Sequence, residues 1–182
     1  MSQAADPILF IGDSIVQDMD ISAITPNGRN YGMGGYTVRD ILEWLPAIRE
    51  IPHANAILLS VGINDFWMGN NSKSIESYRA ILEWLPSHFP IIANSVLPVD
   101  DNQYGLPSNQ EIDLFNEQIE LLTINRSHCY FCNSNAVMKD QDNCLPTMFH
   151  TGDGVHLSSR GYSVLINHIR QTLSSITPKL IE

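Results

Sequence analysis

The 182 residues carry 20 Asp and Glu against 10 Lys and Arg, a formal net charge of -10, with 43% hydrophobic and 16% charged residues. That composition is globular, and its acidity excludes broad nucleic-acid binding and attraction to anionic membrane surfaces. Three cysteines suit a reducing compartment better than a disulfide framework, and no apolar run approaches the ~20 residues of a bilayer span. With only a short polar lead from Met1 to Asp6 and no secretory leader evident, the expected location is cytoplasmic. The length suits one domain covering residues 1–182, and no linker divides it.

Ile8-Leu9-Phe10-Ile11 reads as a strand buried on both faces, and the turn Gly12-Asp13-Ser14 follows it. Arg29-Asn30-Tyr31 is a brief second strand ending in a glycine-rich turn, Gly32-Met33-Gly34-Gly35. Thr37 and Asp40 form a variant capping box for a helix with Val38, Ile41, Leu42 and Leu45 on one face, limited by Pro46. Ala56 to Val61 is a third, central strand, and Gly62-Ile63-Asn64-Asp65 follows it. A helix with Ile75, Tyr78, Leu82 and Leu85 runs up to Pro86, and Ile91 to Leu97 is the fourth strand. Ser108 and Glu111 cap a long helix with the face Ile112, Phe115, Ile119 and Leu122. His128 to Cys132 is a short fifth strand, and 133–152 reads as a functional loop. The last helix begins near Ser158 and buries Tyr162, Leu165, Ile169 and Leu173. Strands alternating with amphipathic helices predict a parallel sheet covered on both faces. The phrase Ile-Leu-Glu-Trp-Leu-Pro occurs at 41–46 and again at 81–86 without matching flanks, so it reads as two helices with one packing solution.

All strand exits of a parallel sheet lie on one edge, which gathers Ser14, Gly35, Asn64, Asp153 and His156. A hydroxyl, an imidazole, a carboxylate and hydrogen-bond donors are the parts acyl transfer needs. Gly12-Asp13-Ser14, Gly35 in Gly34-Gly35-Tyr36-Thr37, Gly62-Ile63-Asn64-Asp65 and Asp153-Gly154-Val155-His156 resemble, in order, the four blocks of the SGNH hydrolases, or GDSL-type esterases. The resemblance spans residues 12–156. It implies a flavodoxin-like three-layer α/β/α sandwich with a five-stranded parallel sheet, and a Ser-His-Asp hydrolase of esters or thioesters. By position it makes Ser14 the nucleophile, His156 the base and Asp153 its partner. The Ser14 and Gly35 N–H groups and the Asn64 amide form the oxyanion hole, and no metal or cofactor is required. The chemistry agrees: serine needs an imidazole to take its proton, and Asn64 is a neutral donor suited to an oxyanion. A spacing of three lets one helical turn bring Asp153 and His156 to one side.

The chain departs from the family pattern at Tyr36, which bears on substrate fit, and at Val16, which carries no evident mechanistic weight. Val16 also removes the Gly-x-Ser-x-Gly elbow of α/β hydrolases. Trp67 and Met68, after the third block, are either pocket residues or core, so Tyr36, Trp67 and Met68 are the substrate-binding candidates. Asp13 and Asp65 read as structural. His150 is set aside, because it lacks a partner at matching spacing. Cys129 and Cys132 match C-x-x-C, but residues three apart on a strand face opposite ways, which is packing rather than a metal site. The expected partner is a small-molecule ester of a small or medium acyl group, with O-acetyl sugars, lysophospholipids, thioesters and aryl esters all open. No nucleic-acid partner and no stable membrane insertion are expected. The alternatives are a metal-dependent phosphoesterase, with strand-end carboxylates, Asn and His as ligands, and a catalytically silent binding module.

Overall fold

The computed structural model describes residues 6–69 and 71–177; residues 1–5 of the polar lead Met1–Asp6 lie outside them. Five strands, β1 (Ile8–Gly12), β2 (Gly28–Gly32), β3 (Ala56–Ser60), β4 (Ile91–Asn94) and β5 (Cys129–Cys132), form one parallel sheet in the order β2-β1-β3-β4-β5. Helices α1 (Ser14–Gln17), α2 (Val38–Trp44), α3 (Asn71–Trp84), α4 (Asn109–Ile124), α5 (Ser134–Met138) and α6 (Ser159–Ile176) cover both faces. The result is a three-layer α/β/α sandwich.

The alternation of strand side chains divides the core. Leu9 and Ile11 of β1, Ile57 and Leu59 of β3 and Ile91 and Ala93 of β4 pack with α2, α3 and α4. Ile8 and Phe10, Ala56 and Leu58, and Ile92 pack with α1, α5 and α6. Because both faces are covered, β1 and β3 are apolar without interruption up to their last residues. Each fully buried Leu, Ile or Phe contributes about 1.5–3 kcal/mol of transfer free energy. Cys129 joins the first cluster and Cys132 the second, so the C-x-x-C pair is split by the sheet. The repeated hexapeptide closes α2 at Trp44 and α3 at Trp84, and Ile41, Leu45, Ile81, Leu82 and Leu85 bury in the same cluster.

Two elements differ from the sequence reading. The fourth strand stops at Asn94, short of the Leu97 expected from the sequence. Past Ser95, whose N–H still donates to the Cys132 carbonyl of β5 at 2.9 Å, asparagine side chains take over much of the backbone. Asn116 bonds both the N–H (2.8 Å) and the carbonyl (2.9 Å) of Val96, and Asn109 does the same for Val99 at 2.9 and 2.8 Å. The stretch 133–152 is not a plain loop: Asn133 caps α5, and buried Met138 anchors it. Five residues are too few to display a helical period, which is why the pattern concealed it.

Candidate active site

The sheet order reverses direction between β1 and β3, and ligands of open α/β sheets bind outside the carboxyl ends of strands at such a switch point. Ser14 leaves β1 there as the first residue of α1, and Asn64 leaves β3 in a 3-10 turn over Ile63–Met68. Asp13 caps α1, its Oδ1 accepting the Ile15 N–H at 3.0 Å, and its main-chain N–H donates to the Ser60 carbonyl of β3. Burial pushes the Asp13 carboxyl up to about 7. The Ile15 and Gly62 N–H groups pull it down, and nearby Asp65 raises it further. Asp13 thus ties together the ends of the two strands that flank the switch point.

Asp65 is also buried. It accepts the Val38 N–H of α2 at 3.0 Å and the Ser74 hydroxyl of α3, so it fixes the turn carrying Asn64 to both helices. Desolvation raises its carboxyl despite those bonds. The Asn64 Nδ2 donates one hydrogen to the Tyr36 carbonyl at 2.9 Å, which orients the amide and leaves its second hydrogen for another acceptor. The neighbouring Gly35 has φ +80°, a left-handed conformation that glycine adopts without strain.

Across the edge, the Ser14 Oγ lies 3.1 Å from the His156 Nε2, and the His156 Nδ1 lies 2.6 Å from the Asp153 Oδ2. Asp153 and His156 are not on a helix, as their spacing suggested. The other Asp153 oxygen, Oδ1, accepts the main-chain N–H groups of Val155 and His156, both at 2.9 Å, and this side-chain turn brings the pair together. Burial alone would raise the Asp153 carboxyl. The Val155 N–H, the His156 ring and the His156 N–H outweigh it and hold the carboxyl down at about 2. Both side chains are about half exposed, Asp153 at 48% and His156 at 47%.

The three residues considered for substrate contact occupy different surroundings. The Tyr36 ring packs edge-on against Trp44, with centroids 5.9 Å apart. Trp67 donates its Nε1 hydrogen to the Gly105 carbonyl at 3.1 Å. It lines a depression of about 400 Å³ with Phe66, Leu106 and Pro107. Met68 is 73% exposed and lines a separate depression between α2 and α3 with Thr37 and Lys73. Among the described residues, no group of three or more His, Cys, Asp or Glu side chains could hold a metal ion.

His150 is the residue that spacing missed. Its side chain is buried, and its Nε2 faces Asp100, fifty positions earlier in the chain, across 3.5 Å. Only the return of the β4–α4 connection to the 150–157 loop makes that pairing, and local spacing carries no trace of it.

Residues 10–164 match the family model described as the GDSL-like Lipase/Acylhydrolase family. The chain belongs to that family. Among its relatives is the isoamyl acetate-hydrolyzing esterase of Schizosaccharomyces pombe, 26% identical over 197 residues, covering 96% of this chain and 77% of that protein. A solved structure from Streptococcus pneumonia superimposes with a TM-score of 0.86 at 26% identity, covering 95% of this chain and 86% of the other. An acetylxylan esterase mutant from Geobacillus stearothermophilus matches with a TM-score of 0.75 at 19% identity, covering 98% and 97% of the two chains. This GDSL-family protein is an ester-hydrolysing enzyme, and none of its described helices is long and apolar enough to cross a membrane.

Proposed function

We propose that the enzyme cleaves carboxylic esters of small acyl groups through a Ser14-His156-Asp153 triad and an acyl-enzyme. The observation that carries this reading is the chain of contacts from the Ser14 Oγ to the His156 Nε2 (3.1 Å) and from the His156 Nδ1 to Asp153 (2.6 Å). An ionised Asp153 accepts the Nδ1 hydrogen, which selects the tautomer with a lone pair on Nε2 facing the serine. The imidazole then takes the Ser14 proton as the oxygen attacks the ester carbonyl. The carbonyl oxygen becomes anionic, and the N–H groups of Ser14 and Gly35 and the free Asn64 hydrogen stabilise it. Collapse expels the alcohol with the proton from His156, and water repeats the sequence on the acyl-enzyme.

The acetate ester in the name of the fission-yeast relative supports a short acyl group. The depression beside Trp67 begins two residues after Asn64, and Leu106, which lines it, lies against Gly154, two residues before His156. In this reading it receives the alcohol portion. Residues 1–182 act as one catalytic domain without metal or cofactor, in the cytoplasm. The test is a panel of p-nitrophenyl esters of increasing chain length with an acetylated sugar and a thioester, run with wild type and Ser14→Ala. Acetate esters should be the best substrates and Ser14→Ala should fall to background. Turnover retained in Ser14→Ala would overturn the reading.

A further inference from the structure

We propose that His150 is a positioning residue for the Asp153–His156 pair, an inference that rests on the triad proposed above. The His150 side chain is 1% exposed. Its Nδ1 accepts two main-chain N–H bonds, from Gly152 at 3.0 Å and from Gly154 at 3.1 Å. A ring nitrogen that accepts hydrogen bonds carries no proton, so this imidazole is neutral with its hydrogen on Nε2, which lies 3.5 Å from the Asp100 Oδ2 without forming a hydrogen bond. The two amides lie on either side of Asp153, and drawing both onto one atom requires the chain to turn through positive φ. Gly152 (113°) and Gly154 (77°) supply that turn.

The loop is locked around the buried ring. Thr151 donates its N–H to the His156 carbonyl at 2.8 Å, and Ser158 donates to the Phe149 carbonyl at 2.8 Å. His150 and Leu157 form an antiparallel bridge. Asp100 donates its N–H to the Gly154 carbonyl at 2.9 Å, and its carboxylate is held by Gln103 (2.9 Å) and Asn102 (3.2 Å). Gly154 is therefore gripped at its N–H by His150 and at its carbonyl by Asp100. Asp153 and His156 project from this loop half exposed, so side-chain packing contributes little to their orientation. The backbone beneath them sets it, and His150 sets that backbone. Preorganisation of this kind spares the cost of ordering the pair during reaction, and a misplacement of about 1 Å costs on the order of 100-fold in rate.

The test uses the full-length enzyme with His150→Leu, which removes the acceptor, and His150→Asn, which restores an acceptor oxygen near the Nδ1 position. Folding is checked by circular dichroism, and His156→Ala is assayed in parallel. Folded His150→Leu should lose about 10- to 100-fold in kcat with KM within about twofold, and His150→Asn should recover most of the loss. An independent readout needs no variant: 15N shifts of the wild-type imidazoles should assign His150 as the Nε2–H tautomer. Wild-type kcat in folded His150→Leu, no recovery in folded His150→Asn, or an Nδ1–H tautomer would each overturn the inference. Full turnover in His156→Ala would remove the triad itself and the inference with it. Loss in His156→Ala beside wild-type kcat in His150→Leu would overturn the inference alone.

Discussion

Ser14 and Asn64 stand at the carboxyl ends of two strands buried on both faces, whereas Asp153 and His156 stand half exposed on a loop with no strand beneath them. On the strand side the devices are buried carboxylates: Asp13 caps the turn that carries Ser14, and Asp65 pins the turn that carries Asn64. On the loop side the device is a neutral imidazole with two amides converging on it. The Ser14 side inherits its precision from the sheet. The Asp153–His156 side must build its own, and it does so with hydrogen bonds made within residues 149–158 plus contacts from Asp100 of the β4–α4 connection.

The largest expected effect breaks the loop side alone. Asp153→Asn retains Oδ1, the acceptor for the Val155 and His156 N–H groups, and replaces only the Oδ2 that faces the His156 Nδ1. The loop should keep its shape while an amide in place of Oδ2 favours the wrong imidazole tautomer. Steady-state kinetics should show kcat down by about 10³- to 10⁴-fold, following the precedent of Ser-His-Asp enzymes. A change below tenfold would remove Asp153 from the relay.

Asn64→Ala probes the strand side. The carbonyl oxygen becomes anionic only as Ser14 attacks, so a donor aimed there acts mainly in the transition state. The expected loss is on the order of 100-fold in kcat with KM nearly unchanged. A raised KM at constant kcat would make Asn64 a ground-state binding residue.

The smallest effect is on stability, and it separates the two sides by pH. The Asp13 carboxyl sits at about 7 in the folded protein, above its ordinary 3.8, because burial disfavours its charge. Between those values the folded chain holds a proton that the unfolded chain has released. The stability Asp13 contributes is therefore complete below its ordinary value and lost as pH rises through about 7. Asp13→Asn removes that titration and keeps an acceptor for the Ile15 N–H. Its Tm relative to wild type should rise by ~3 °C or more between pH 4 and pH 8. Parallel Tm profiles for the two proteins would show that Asp13 does not titrate there. Asp153, held down at about 2, has the opposite sign: its contribution is present above its ordinary value and is lost only as pH falls toward 2.

The same contrast explains what could be read in the sequence. The continuous apolar runs at Ile8–Ile11 and Ala56–Leu59 and the capping boxes at Thr37–Asp40 and Ser108–Glu111 are local signals, and the structure contains all of them. Ser14 and Asn64 were legible because each follows such a run. The end of β4 was not, because the backbone of Val96 and Val99 past it is bonded by Asn116 and Asn109, side chains from a helix later in the chain. The side-chain turn at Asp153 passed for a helical spacing, since both place residues three apart side by side. The role of His150 leaves no periodic mark in the sequence, because its Nδ1 meets two glycine amides and its Nε2 faces an aspartate fifty positions away.

Covalent labelling tests the central claim most directly. A fluorophosphonate reacts with a serine only when a neighbouring base activates it, so treated enzyme digested and sequenced by mass spectrometry reports which residue is the nucleophile. The account predicts one adduct, on Ser14, absent from Ser14→Ala and strongly slowed in His156→Ala. An adduct on another residue, or equal labelling of wild type and Ser14→Ala, would contradict it.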